Sequence, residues 1–423
     1  MEITLHDWTQ AIALVDCDSF FVSCELLLNP RLKEKPVCVL SNNDGCIISR
    51  SKEAKKLGIK MGEPLFLAQK RVPEAIYLSS NYLHYGQISD KVMNIIKGFT
   101  PEVEIYSIDE AFIDLTSVRQ MFKKPYLEII RDIREKILIE TGIPVSIGVS
   151  LSKVLAKIAT KIAKNKNDGV FSISGKELRE ILPKIEIGSI WQIGDSTKNL
   201  LLNHGIDNAY KFTCQNEKWV EKTLTKKGLE LQQEIKGYSV WKIDSRGKEI
   251  KGIQRTKSFA HCIEDKEIIK GALFYHLHKA LTELRRKHLK AGQLSIMLRT
   301  KDFQSFSLKT IIDPPSNFEF DFTNKLNNLF NKLHKKELLY RSCGIHLTNF
   351  SSEKAEQLNL FSQNATLSTK KKEKLAETWD FIESKFGKQS LKTASMPSLH
   401  YLDKRAIRGV ETFSSFDYLP EVS

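Results

Sequence analysis

Four acidic side chains stand where acids are costly. Asp16 and Asp18 follow the apolar run "AIALV" (11–15), and Asp109 and Glu110 sit side by side in "VEIYSIDEAFIDL" (103–115), between two runs of apolar and β-branched residues. Two chemistries suit the second pair. Ser and Asp favour turns, so these residues could be the polar reversal of a strand–turn–strand. Alternatively, adjacent carboxylates repel one another unless a divalent cation relieves them, and hard cations such as Mg2+ take oxygen ligands. The strand-end Asp16 and Asp18 favour the metal reading, because they could meet the second pair across neighbouring strands of one sheet. Converging carboxylates of this kind suit two-metal phosphoryl or nucleotidyl transfer. That chemistry needs cations nearby. Lys55 and Lys164 flank segments ending near the same sheet, while Lys153, Lys157 and Lys161 along "SKVLAKIATKIAK" read mostly as a solvated helix face.

The elements that must position these residues are legible as periodicity. "AIALV" is short enough for a buried strand that stops at "DCDSFF". From 28 to 81, short strands such as "PVCVL" alternate with short helical patterns, punctuated by Gly58, Gly62, Pro64 and Pro73, as a small mixed α/β insertion. Residues 82–100 and Tyr126–Glu140 read as helices, 103–115 as a hairpin and "IPVSIGVS" as a strand, with a helix starting at a Ser152 cap. Together, 10–27 and 82–175 predict an α+β domain around a mainly antiparallel sheet. Residues 176–240 read as short helices. Within them "IWQIGDSTKNLLLNHGI" resembles a helix-hairpin-helix, whose helix N-terminus after Gly194 offers backbone amides to a phosphate. A polar linker (241–249) leads to a second α/β unit (250–350), and a polar, Lys-rich tail occupies 351–423.

With 423 residues the chain exceeds one growing core, so several domains are expected. No stretch approaches the roughly 18 apolar residues of a membrane span. The N-terminus carries acids and no basic region before the apolar run, so a signal peptide is not expected and the cytoplasm is. Seven cysteines, at 17, 24, 38, 46, 214, 262 and 343, form no C-x-x-C pair, which argues against a disulfide framework or structural zinc. The formal charge is +14, and 18 basic against 9 acidic side chains between 250 and 350 place most of the excess there. An extended anion, most simply nucleic acid, suits such a surface. Trp191, Trp219, Trp241 and Trp379 are assigned to packing, and His276 and His278 to a helix surface.

"DCDSFFVSCE", "NDGCIISRSKEAKKLGI", "YSIDEAFIDL" and "SIGVSLSKVLAKIATKIAK", in that order and spacing, resemble the Y-family DNA polymerases, and "LSNNDGCIISRS" with "QLNLF" resembles their UmuC-like branch. The resemblance spans about 11–361. It implies a right hand: palm (10–27 and 82–175), small fingers (28–81), helical thumb (176–240) and an α/β little finger (250–350). It implies an error-prone translesion polymerase with two Mg2+ ions held by Asp16, Asp109 and Glu110, with the Cys17 carbonyl as an extra ligand and Glu110 as the essential acid. Asp18 takes a supporting role. Phe21 falls at the steric gate against a ribose 2′-oxygen, and the nucleotide pocket takes in Phe20, Ser49, Lys55 and Lys164, although Phe20 by itself reads as core. Lys52 departs from the family's tyrosine. Gly194, Arg255 and Lys257 are expected on primer-template DNA, and Gln357, Leu358, Leu360 and Phe361 at a sliding clamp. A UmuD′-like dimer and RecA follow as partners by resemblance alone. The rival readings are a stand-alone DinB-type polymerase, a non-catalytic DNA-binding scaffold, and another two-metal enzyme such as a nuclease or cyclase.

Overall fold

The computed structural model describes residues 8, 10–41, 45–247, 250–352, 365–387 and 390–391. The chain divides into two compact units at Lys248–Glu249.

In the first unit, β1 (Ile12–Cys17) is apolar until its end and leads through Ser19, in left-handed backbone, into α1 (Phe20–Leu28). A small sheet follows, from β2 (Val37–Leu40) and β3 (Ile47–Arg50), with α2 (Lys52–Lys56), α3 (Leu65–Arg71) and β4 (Ile76–Ser79); β2 lies between antiparallel β3 and parallel β4. The chain returns through α4 (Tyr82–Lys97) to a hairpin, β5 (Val103–Ile105) and β6 (Glu110–Asp114), then α5 (Val118–Phe122), α6 (Tyr126–Thr141), β7 (Val145–Ser150), α7 (Lys153–Ala163) and β8 (Val170–Ser172). The resulting five-stranded sheet runs β5-β6-β1-β7-β8, antiparallel except for β7–β8.

Both faces of that sheet are covered, which is why β1 is buried along its whole length rather than alternating. Ala13, Val15, Ile113, Ile147 and Val149 pack with residues of α4 and α6. On the opposite face Ile12, Leu14 and Phe112 meet Ala156 of α7. That approach is close. A Cβ on Gly148 would stand 2.1 Å from the Thr160 nitrogen and 2.4 Å from the Ala159 carbonyl carbon, so only glycine admits the helix here. Helix α7 begins as expected, with the Ser152 hydroxyl accepting from Leu155 N.

The segment after β8 is mainly helical: α8 (Leu178–Ile181), α9 (Asp195–Asn203), α10 (Ala209–Thr213) and α11 (Glu217–Ile235), the last broken at Thr225. One buried carboxylate joins it to the first turn of α7. Glu234 accepts from Val240 N (2.7 Å) and Trp241 N (2.8 Å) through one oxygen, and from Val154 N in the first turn of α7 (3.3 Å) through the other. The Ser152 hydroxyl donates to the Glu234 carbonyl (2.7 Å). Burial raises the pKa of this carboxyl, and the amides offset part of the rise. A helix N-terminus favours an acid in this position.

The second unit is an antiparallel sheet, β11-β10-β12-β9, built from β9 (Gly252–Ile263), β10 (Leu289–Thr300), β11 (Ser305–Ser316) and β12 (Tyr340–Ser352), with α12 (Lys266–Arg286) and α13 (Glu319–Leu333) packed against it. One expectation changes here, that for His276 and His278. The tail contains α14 (Ala365–Phe386), which docks on its own unit: Asp380 pairs with Arg285 (2.7 Å), Lys372 with Asp321 (2.6 Å), and Trp379 is buried against the His278 ring. His276 and His278 are not on a helix surface. Both are nearly inaccessible, because α12 is covered by the sheet on one side and by α13 and α14 on others, and His278 lies between Glu319 (3.0 Å) and Glu383 (3.1 Å). The acids that hold it come from distant elements, out of reach of any local spacing rule. All seven cysteines are unpaired, and among the described residues no helix is long and apolar enough to cross a membrane.

Candidate active site

The strand register brings the acids together. Asp16 on β1 lies directly opposite Glu110 on β6, and residues facing each other across an antiparallel pair project on the same side. Asp109 occupies the turn beside them. Its carbonyl accepts from Cys17 N (2.9 Å), which closes the hairpin onto the end of β1, and the Ser107 hydroxyl donates to its carboxylate (2.5 Å). Ser107 and Asp109 form the reversal considered for this stretch, and the strand register sets Glu110 opposite Asp16. Asp18 is held toward β7 by the Ser146 hydroxyl (2.8 Å).

Lysines of α7 answer two of the acids. Lys164, at the C-cap, reaches Asp16 at 2.7 Å, and Lys157 grips both oxygens of Glu110 at 2.9 and 3.1 Å. The solvated-face expectation holds for Lys161, which is exposed, but fails for its neighbours: Lys153 is buried against Glu104, and Lys157 faces the hairpin. Lys157 is the functional candidate that the sequence pattern conceals, along with the rings of Tyr106 and Trp191 that stand beside it.

The electrostatics call for more positive charge. Burial pushes Asp16 up to about 7 even though Lys164 pulls it down, and Glu110 adds to the rise. Asp109 is likewise raised, first by burial. Burial tends to lower Lys164, but the Asp16 charge and hydrogen bond, with the Asp18 and Glu110 charges, together hold the ammonium above its ordinary value. Among the described residues no three metal-ligating side chains converge on one point as they stand, since Asp16 and Glu110 close on lysine ammonium groups. The donor set is nonetheless all oxygen, partly desolvated and short of cationic charge, which fits a hard divalent ion.

The remaining candidates lie around this cluster. Phe21 is partly buried, stacked on the Tyr85 ring at 4.7 Å and edge-on to Tyr82 at 5.9 Å, while Phe20 is core. Ser49 is buried, its hydroxyl accepting from Val22 N at 3.4 Å, so it ties β3 to α1. Lys55 donates to the Ser19 hydroxyl (3.2 Å), and burial together with the Arg50 and Lys164 charges lowers its pKa. Lys52 is exposed at the start of α2. A cavity of about 610 Å³ is lined by Asp16, Glu110, Lys157, Lys161, Lys164 and Trp191. Farther along, Gly194 caps α9 with open space around it. In the second unit Arg255 and Lys257 alternate on β9 with the exposed Gln254, Thr256 and Ser258, and Arg255 pairs with Glu283 of α12. Gln357, Leu358, Leu360 and Phe361 lie outside the described residues.

Comparison with known proteins converges on one group. Residues 15–161 match the impB/mucB/samB family and 250–360 its C-terminal domain. The chain is 32% identical to the protein UmuC of Salmonella typhimurium over 90% of its own length and 92% of the relative's, and 29% identical to DNA polymerase IV of Treponema denticola over 90% and 95%. Among solved structures it resembles a Dbh-based Y-family DNA polymerase chimera, with TM-score 0.68 and 28% identity over 80% of this chain and 98% of that one. It also resembles Dbh DNA polymerase in an insertion ternary complex, with TM-score 0.55 and 27% identity over the same shares. Opposed strand-end carboxylates, the basic cavity beside them and these likenesses lead to one conclusion: the chain belongs to the impB/mucB/samB family of Y-family DNA polymerases, DNA-directed enzymes of translesion synthesis.

Proposed function

We propose that the chain extends a primer opposite damaged template bases as a UmuC-like, error-prone polymerase, with Asp16, Asp109 and Glu110 holding two Mg2+ ions. The opposition of Asp16 and Glu110 across β1 and β6, with Asp109 alongside, carries this reading. Divalent ions bound there would supply Lewis-acid activation of the primer 3′-hydroxyl and charge for the triphosphate. The protein's own groups do the rest. Lys164 and Lys55 can turn toward triphosphate oxygens, and the Phe21 ring, backed by Tyr85, presents a fixed edge to the sugar. The basic second unit holds the DNA backbone irrespective of sequence, and the peptide Gln357–Phe361 docks a sliding clamp. A UmuD′-like dimer and RecA are partners on this reading.

The experiment is primer extension on undamaged and abasic templates with Mg2+, comparing wild type with Asp109→Ala and Glu110→Ala, with and without a UmuD′-type partner and a RecA filament. Loss of extension in both variants supports the assignment. Binding of primer-template without extension under any condition would replace it with a scaffold. The likeness to a DNA polymerase IV supports a second reading, a DinB-type enzyme that acts alone, and extension by the isolated chain would favour it.

A further inference from the structure

Lys157 is held within a cage of three aromatic rings while it grips Glu110. Its ammonium lies 4.8 Å from the Tyr106 ring centre, 5.4 Å from that of Trp191 and 6.0 Å from that of Phe112, while it binds both oxygens of Glu110. The cage exists independently of the lysine. Trp191 Nε1 donates to the Tyr106 hydroxyl (3.2 Å), the two rings meet at right angles, and Tyr106 stands edge-on to Phe112. Tyr106 and Phe112 flank Glu110 on its own hairpin, so the acid and two walls of the cage move as one piece, and Trp191 closes it from the thumb. One turn earlier Lys153 pairs with Glu104 of β5, which fixes the register of α7 on the hairpin. Lys164 has no such enclosure, and its side chain is 41% exposed against 18% for Lys157. It is free to leave Asp16 for an incoming phosphate. Lys157 has no comparable freedom.

We infer that Lys157 is a positioning residue for Glu110: its caged ammonium holds the carboxylate opposite Asp16 and occupies, with one positive charge, part of the role a divalent ion takes. The inference rests on the assignment of Glu110 as a metal-holding acid. It carries an unusual pair of consequences, because one side chain both orients the ligand and competes with the ion for it. Removing the charge relieves the competition and releases the carboxylate. Divalent binding then tightens while turnover falls, a divergence that loss of structure alone does not produce.

The test uses the full-length chain and Mn2+ as probe, counting free Mn2+ by electron paramagnetic resonance without DNA or nucleotide. In Lys157→Met, which refills the cage with an apolar stem, Mn2+ should bind about 3- to 10-fold more tightly. Single-nucleotide insertion should lose about 100-fold in kcat with little change in KM for the nucleotide. Lys157→Arg restores the charge, so Mn2+ affinity should return to within about twofold of wild type and part of the kcat should recover. If Lys157→Met does not fold, Lys157→Gln, neutral but still able to donate to Glu110, carries the same expectation for Mn2+. Unchanged or weaker Mn2+ binding in the neutral variants, or wild-type kcat in Lys157→Met, overturns the inference. Glu110→Gln separates the two levels: if it alters neither Mn2+ binding nor insertion, the assignment of Glu110 fails, whatever Lys157 does.

Discussion

Replacing Gly148 by alanine should disable the enzyme without touching a polar atom of the site. The added Cβ would lie 2.1 Å from the Thr160 nitrogen and 2.4 Å from the Ala159 carbonyl carbon, where ordinary contact begins at 3.4 Å. The obstacle is backbone in the middle of α7, so no side chain can swing aside. Relief requires the helix to lift by about 1.3 Å, the difference between 3.4 and 2.1 Å. Overpacking of this kind costs about 1–3 kcal/mol. The functional cost is larger, since α7 carries Lys157 and Lys164 to Glu110 and Asp16 at hydrogen-bond distance, and displacement by about 1 Å lowers rates by about 100-fold. Urea unfolding and single-nucleotide insertion kinetics would read the two effects. Stability and kcat/KM both at wild-type level in Gly148→Ala would refute the claim that helix-to-sheet distance sets the site.

Two further expectations follow from the packing. Phe21→Ala should raise incorporation of ribonucleotides relative to deoxynucleotides by about 100-fold, because the edge held by Tyr85 is gone, and an unchanged ratio in competitive insertion would remove Phe21 from sugar selection. His278 should make the second unit pH-dependent. Burial lowers its pKa, but Glu319 and Glu383 raise it further, to about 9, above an unfolded value near 6.5. Its contribution, about 3 kcal/mol, is therefore complete below pH 6.5 and is lost as pH rises through 9. Urea unfolding of the second unit at pH 6.5 and 9.5 should show that loss in wild type and little of it in His278→Gln; identical profiles would discount the pairing.

The order of the acids, the strand that carries Asp16 near its end, the hairpin and the Ser152 cap were all legible in the sequence, because each depends on neighbours a few residues away. Resemblance added the palm assignment. What stayed hidden depends on tertiary register. Lys153, Lys157 and Lys161 make one stripe four residues apart, as a solvated face does, and nothing local reveals that the stripe lies across Glu104 and Glu110. The His276 and His278 pair was misplaced for a similar cause: α12 has polar residues all round, yet it is buried by α13 and α14, and one of the acids that hold His278 comes from beyond residue 380. Arg255, expected on primer-template DNA, pairs with Glu283 of α12, a partner that no local spacing in the sequence reveals.

The carboxylate of Glu234 has a bearing on how such polymerases can be recombined. It receives the chain leaving the thumb and the first turn of the lysine-bearing helix at once, so these segments share a single acceptor although they are some 80 residues apart. A crossover placed anywhere between 155 and 233 takes the acid and the Val240 and Trp241 amides from one parent and the Val154 amide from the other. Chimeras of this family should therefore tolerate junctions beyond Trp241 far better than junctions within the thumb, and a transplanted thumb needs to bring its own copy of the α7 N-terminus with it.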